Sequence, residues 1–168
     1  MHLGHVNILV RDAAAARDFY NSILNMHTYH FVPGRAAFLS ADVDSSHELA
    51  LMQVGPDAPA QQRNAVGLHH FAFMVDTLDE LKGLYRRLKE QHVKIEHISD
   101  HGLSLGIYFR DPDGNGVEVS YELPRKQWPR QSQVFAADVT NLGKFPGPWD
   151  NDPALTARRP LTEAMPIA

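Results

Sequence analysis

Three residues, His5, His70 and Glu118, each stand opposite a row of apolar residues on the strand that the row implies. Around His5 the alternation sets Val6, Ile8 and Val10 on one face and His5, Asn7 and Leu9 on the other. Around His70 it sets Phe71, Phe73 and Val75 against His70, Ala72 and Met74. Around Glu118 it sets Val117, Val119 and Tyr121 against Gly116, Glu118 and Ser120. A carboxylate in the middle of a buried strand is costly unless it is paired or bound to a metal. Two imidazoles and one carboxylate are the facial set of non-haem Fe(II) oxygenases, in which three protein donors leave open positions for a substrate and dioxygen. The chain has no cysteine, so histidine and carboxylate must hold any metal; Fe(II) is the expected ion and Mn(II) the alternative.

The candidate ligands are placed by an internal repeat with an offset of 65 residues. It aligns His5 with His70, Val10 with Val75, Tyr20 with Tyr85 and Ile23 with Leu88, so strand and helix positions recur together. The same offset selects His70 over His69, which an extended strand would point the other way. His27, His30, His92 and His97 have no matching context and are expected on the surface or in packing roles. Each copy opens with a strand and continues into a helix. In the second copy Leu78, Leu81, Leu84, Tyr85 and Leu88 form an apolar stripe, and Thr77 with Glu80 forms a capping box. Short strand-like runs follow: about His27–Val32, Ala36–Ala41 and Glu48–Val54, then Val93–Ile98, Leu105–Arg110 and Val117–Glu122.

The fold expected is therefore α+β, two βαβββ modules over about 1–54 and 67–123 within a single domain of residues 1–123. Gly55–Gly67 would link them, and 124–168 would be an extended tail whose Phe135, Phe145 and Trp149 dock on the body or on a neighbouring subunit. Asp111-Pro-Asp-Gly-Asn115 reads as the turn that delivers Glu118.

Bulk properties exclude several classes. Apolar residues at 43% and charged residues at 21% are globular proportions, and a formal charge of -4 without a dense basic cluster argues against nucleic acid. No apolar stretch approaches the ~20 residues of a membrane helix, and the first residues lack the pattern of a signal peptide. A cytoplasmic protein without membrane partners is expected.

These residues resemble the vicinal oxygen chelate superfamily, which includes glyoxalases, bleomycin resistance proteins and extradiol dioxygenases. The resemblance covers residues 1 to about 123 and implies a metal-lined, partly open β-barrel built from the paired modules. Ser46-His47-Glu-Leu-Ala-Leu51, Asp100-His101-Gly-Leu-Ser104 and Ile107-Tyr108-Phe-Arg-Asp111 are similar to the catalytic module of type I extradiol catechol dioxygenases, here in a single-domain form. That similarity implies His47 as the acid/base group, Tyr108 as hydrogen-bond donor to the catecholate, and His101 nearby in the substrate pocket. It also implies a catechol and O2 as small-molecule partners, and a homo-oligomer. Two other readings stay open at this level. A glyoxalase-like isomerase or lyase would recruit Glu48 as a fourth ligand, and alternation lets His47 or Glu48 face the metal but not both. A non-catalytic drug-binding protein would use the same cleft without metal.

Overall fold

In a computed structural model of the chain, residues 2–62, 65–128 and 145–152 are described. The elements run β1 (Val6–Val10), α1 (Ala13–Leu24), β2 (His27–Val32), β3 (Ala36–Ser40), β4 (Leu49–Gln53), then β5 (Phe71–Val75), α2 (Leu78–Glu90), β6 (Ile95–Asp100), β7 (Ser104–Arg110) and β8 (Gly116–Glu122). A short 3-10 turn, Arg125–Gln127, follows. This is the α+β, twice-repeated βαβββ order that the alternation predicts. Both first strands and both helices begin 65 residues apart, whereas β6 starts two residues later than the sequence pattern suggests.

The strands form two four-stranded sheets, ordered β1-β4-β3-β2 and β5-β8-β7-β6. In the first sheet β1 runs parallel to β4, with Val6 opposite Leu49, and the remaining pairs are antiparallel. The described residues of Met1–Phe71 and Arg110–Gly116 make up one compact unit, and those of Ala72–Phe109 and Val117–Ala168 the other.

In the first unit Asp12 caps α1 by accepting from the amides of Ala14 and Ala15, and Asn25 ends the helix in the left-handed region at φ 55°. The helix packs on β3 and β4. It buries Ala13, Ala16, Tyr20 and Ile23 against a sheet face that includes Ile8, Val10, Leu39, Leu49 and Leu51. Each large side chain so covered contributes about 1.5–3 kcal/mol before the entropy cost of ordering it. The turn Arg110–Gly116 belongs to this unit. Asp111 accepts from the Tyr20 hydroxyl at 2.9 Å and from the Asn115 side chain at 2.9 Å on one oxygen, and from the amides of Asp113 and Asn115 on the other. Asp113 pairs with Arg11 at 3.0 Å, and Asn115 donates to the Leu9 carbonyl. Gly114 supplies the positive φ, 91°, that the turn requires.

In the second unit Thr77 and Glu80 form the expected capping box, and Leu81, Leu84, Tyr85 and Leu88 are the buried stripe of α2. Against this helix lies the segment 145–152. Phe145 and Trp149 are buried, the Trp149 ring meets Tyr85 edge-on with centroids 5.9 Å apart, and Phe145 meets Tyr121 in the same way. Asp152 closes the contact, accepting from the Tyr85 hydroxyl at 2.5 Å and from Lys89 at 2.9 Å. Two of the three expected tail anchors are thus packed on the body, in a compact turn rather than an extended strand; Phe135 lies outside the described residues.

The two helix tyrosines that the repeat aligns therefore make the same bond, each to a buried aspartate from a distant segment. Replacing Tyr20 by Phe leaves one Asp111 oxygen short of a donor and should lower stability by about 1–3 kcal/mol in urea unfolding. Burial, then the bond to Asp152, pushes the Tyr85 phenol up to about 12. Its contribution is complete below pH 10 and lost as pH rises through that value. Stability should therefore fall between pH 10 and 12, and the fall should be shallower in Tyr85→Phe.

Candidate functional site

His5 and His70 occupy equivalent places, each one residue before its strand, β1 or β5. His5 lies against His47, with ring centroids 4.6 Å apart and planes tilted by 42°. His47 in turn meets the edge of Phe38 at 5.4 Å, and its Nδ1 is 3.0 Å from the Ser46 hydroxyl. The neighbouring Glu48 is committed elsewhere: its carboxylate accepts from the Ser40 hydroxyl at 3.0 Å and from the Ala41 amide at 2.9 Å, closing the turn that leaves β3. Only His47 of this pair is turned to His5.

His70 does not diverge from His69 as strand alternation would require. Their Nδ1 atoms are 2.7 Å apart, so one ring donates and the other accepts. The reason is that regular strand pairing starts only at Phe71, and residues 69 and 70 escape the pleat. Behind His70 the chain of Gly116 passes so close that a Cβ there would strike the His69 carbonyl oxygen and sit 3.1 Å from the His70 Cβ. That glycine begins β8, two residues before Glu118.

The second unit gathers Tyr108, His101 and Glu118. Tyr108 on β7 stands 3.1 Å from His101 Nε2 and donates its hydroxyl to Glu118. Burial, then the Glu118 carboxylate, pushes the Tyr108 phenol well above its ordinary range, so the group is a proton donor at any physiological pH. Glu118 is only 8% exposed, in the middle of a strand buried on both faces. Gly106 makes room for it: a Cβ there would strike Glu118 Oε1 and lie 3.0 Å from the Tyr108 ring. His101 follows β6 directly, and Gly102 turns the chain at φ 81°.

The donor set of His5, His70 and Glu118 suits a divalent ion chemically, since two neutral imidazoles and a carboxylate are a recurrent Fe(II) set. Among the described residues no three His, Asp or Glu side chains are gathered tightly enough to hold an ion. Each of these three instead engages a neighbour, His47, His69 and Tyr108 respectively.

Histidines without a place in the repeat contribute more than a solvated surface. His97 stacks on the Tyr108 ring with centroids 4.2 Å apart and planes 10° from parallel, and His30 stacks on Phe38 at 6.2 Å and 28°. The fixed offset conceals their equivalence, because the second module has a longer path from strand to strand and places His97 67 positions after His30.

A family model for the Glyoxalase/Bleomycin resistance protein/Dioxygenase superfamily matches residues 2–119. The chain belongs to that superfamily. Among curated superfamily relatives, a catechol-2,3-dioxygenase of Bacillus subtilis (strain 168) is 31% identical over 84% of this chain and 50% of its own length. A biphenyl-2,3-diol 1,2-dioxygenase 2 of Rhodococcus globerulus is 30% identical over 70% of this chain and 61% of its own. The chain thus spans only half to three-fifths of these relatives. Among solved structures, a glyoxalase/dioxygenase from Nostoc punctiforme is 25% identical with a TM-score of 0.60, covering 73% of this chain and 92% of that one. A lactoylglutathione lyase from Agrobacterium tumefaciens is 25% identical with a TM-score of 0.56, covering 71% and 92%. The glyoxalase fold is shared by proteins named for different activities, so the reaction has to be argued from the site. No helix among the described residues is long and apolar enough to cross a membrane.

Gly116→Ala tests the close approach behind His70. Its clash is with backbone, which cannot swing aside, so the variant should lose about 1–3 kcal/mol of stability and shift the His70 imidazole resonances. An unchanged unfolding midpoint would show that the two chains are further apart than described.

Proposed function

We propose that the chain is an Fe(II)-dependent extradiol dioxygenase that cleaves the ring of a catechol-type diol with O2, with residues 1–123 as its catalytic domain. His5, His70 and Glu118 would hold the ion, Mn(II) being the alternative. The observation that carries the reading is the split between His47 and Glu48. The imidazole is turned to His5, while the carboxylate that a glyoxalase-like site would need as a fourth donor is occupied at Ser40 and Ala41. The curated relatives named as diol dioxygenases support the same choice. A cytoplasmic homo-oligomer is the setting proposed.

When bound, Fe(II) would supply Lewis acidity and a common point at which diol and dioxygen meet. The chain's own residues do the rest. The His47 imidazole, with Nδ1 oriented by the Ser46 hydroxyl, takes a phenolic proton from the diol and later returns it. With substrate bound, the Tyr108 hydroxyl would turn from Glu118 to donate to a substrate oxygen, and His101 Nε2, 3.1 Å away, would fix the position from which it does so.

The variants that test this are His47→Ala and Glu48→Gln, prepared anaerobically with iron. Replacement of His5, His70 or Glu118 by Ala should remove the iron, whereas His69→Ala should retain most of it. His47→Ala should keep iron and diol affinity yet slow ring cleavage by roughly 10²–10⁴, and Glu48→Gln should be close to wild type. Loss of metal and activity in Glu48→Gln with a wild-type rate in His47→Ala would replace this reading by the glyoxalase-like one.

A further inference from the structure

The outer strand pair of each module carries the same irregularity. In β2–β3 the register slips between Thr28 and His30, and in β6–β7 between Ile95 and His97, so Tyr29 and Glu96 are the extra residues of two equivalent bulges. A bulge re-aims the side chains that follow it. Here it brings His30 opposite Phe38 and His97 opposite Tyr108. In both modules an exposed imidazole is laid on the ring of the neighbouring strand, and that ring touches a residue of the candidate site: Phe38 meets His47, and Tyr108 meets His101. The two stacks differ in closeness. The ring that bears a hydroxyl has its imidazole 4.2 Å away and nearly parallel, and the ring that bears none has it 6.2 Å away and tilted by 28°.

We infer that His97 is a positioning residue for Tyr108: its imidazole, lying flat on the phenol, holds the ring plane and so the direction in which the hydroxyl bonds. A phenol O–H prefers to lie in the plane of its ring, so fixing the plane fixes where the proton points. The χ2 rotation of a tyrosine is otherwise broad. On another side the ring is bounded by Gly106, where even a methyl group would come within 3.0 Å of Cε2. The imidazole and the glycine border the ring, whose oxygen lies 3.1 Å from His101 Nε2. Offset or parallel ring pairs of this kind contribute beyond the area they bury, and here an exposed His97 covers one face of a buried Tyr108 ring. The value of this for catalysis rests on the dioxygenase reading above; the clamp itself does not.

The test uses the full chain with 13C-labelled tyrosine, the Tyr108 ring signals being assigned by their loss in Tyr108→Phe. Wild type should show Tyr108 ring signals shifted upfield by the stacked imidazole. His97→Phe should keep that shift, and His97→Ala and His97→Gln should lose it, while His30→Ala should leave it in place. An unmoved signal in both His97→Ala and His97→Gln, or an equal movement in His30→Ala, overturns the inference. With iron-loaded enzyme and a diol, His97→Ala should lower kcat by at least about tenfold, the scale of a misplaced reacting group, with iron content unchanged and with rescue by His97→Phe. It should add nothing in a Tyr108→Phe background, and additive losses would overturn the positioning role. A wild-type protein that cleaves no diol would sink the dioxygenase reading, and the ring signals would still decide the clamp.

Discussion

The bond from Tyr20 to Asp111 is the interaction on which the first unit depends. A tyrosine at the centre of a buried helix face must find an acceptor, and the buried side chains of the sheet beneath it, Ile8, Val10, Leu39, Leu49 and Leu51, offer none. The acceptor comes from 91 residues further along the chain, in a turn whose carboxylate is already bonded to its own backbone. Burial raises the pKa of both partners, the tyrosine far more clearly, so the proton belongs to the phenol. Once that bond is made, Asp113 falls beside Arg11 and Asn115 beside Leu9, and Gly116 is carried close behind His70. The second unit solves the same problem at Tyr85 with Asp152, a residue from a segment with no counterpart in the first module.

The two modules follow one plan around their outer strand pairs: each lays an imidazole on an aromatic ring of the neighbouring strand, His30 on Phe38 and His97 on Tyr108. The two rings differ by one oxygen atom, since the ring is Phe38 in the first and Tyr108 in the second. That oxygen separates a ring that merely supports an imidazole from one that donates a hydrogen bond.

Much of this was legible in the sequence because strand and helix periods are local. The alternation around Val6–Val10 and Phe71–Val75 matches the buried and exposed faces of those strands, whereas β8 is buried on both faces from Gly116 to Ser120; the stripe of α2 and its capping box came directly from residue order. The two modules were visible for the same reason. What escaped were features set by pairing. A bulge changes register without changing composition, so the surface or packing roles expected of His30 and His97 came without the partner that the neighbouring strand supplies. The divergence expected of His69 and His70 failed because alternation holds only where the ladder exists, and it begins at Phe71. The Asp111 turn was recognisable as a turn, but its partners Tyr20 and Arg11 lie about a hundred residues away, beyond any local signal.

The membership of Arg110–Gly116 in the first unit has a consequence for how the chain can be divided. The linker between modules is the natural cleavage point on the sequence, yet a fragment ending there would carry the Tyr20 hydroxyl and the Arg11 guanidinium without the carboxylates that satisfy them. The complementary fragment would carry Asp111 without the Tyr20 hydroxyl and Asp113 without Arg11, leaving Asp111 only the bonds within its own turn. Halves cut at the linker are therefore not autonomous modules but mutual templates, and ribosomal synthesis must deliver residue 116 before the amino-terminal half can complete its own interior.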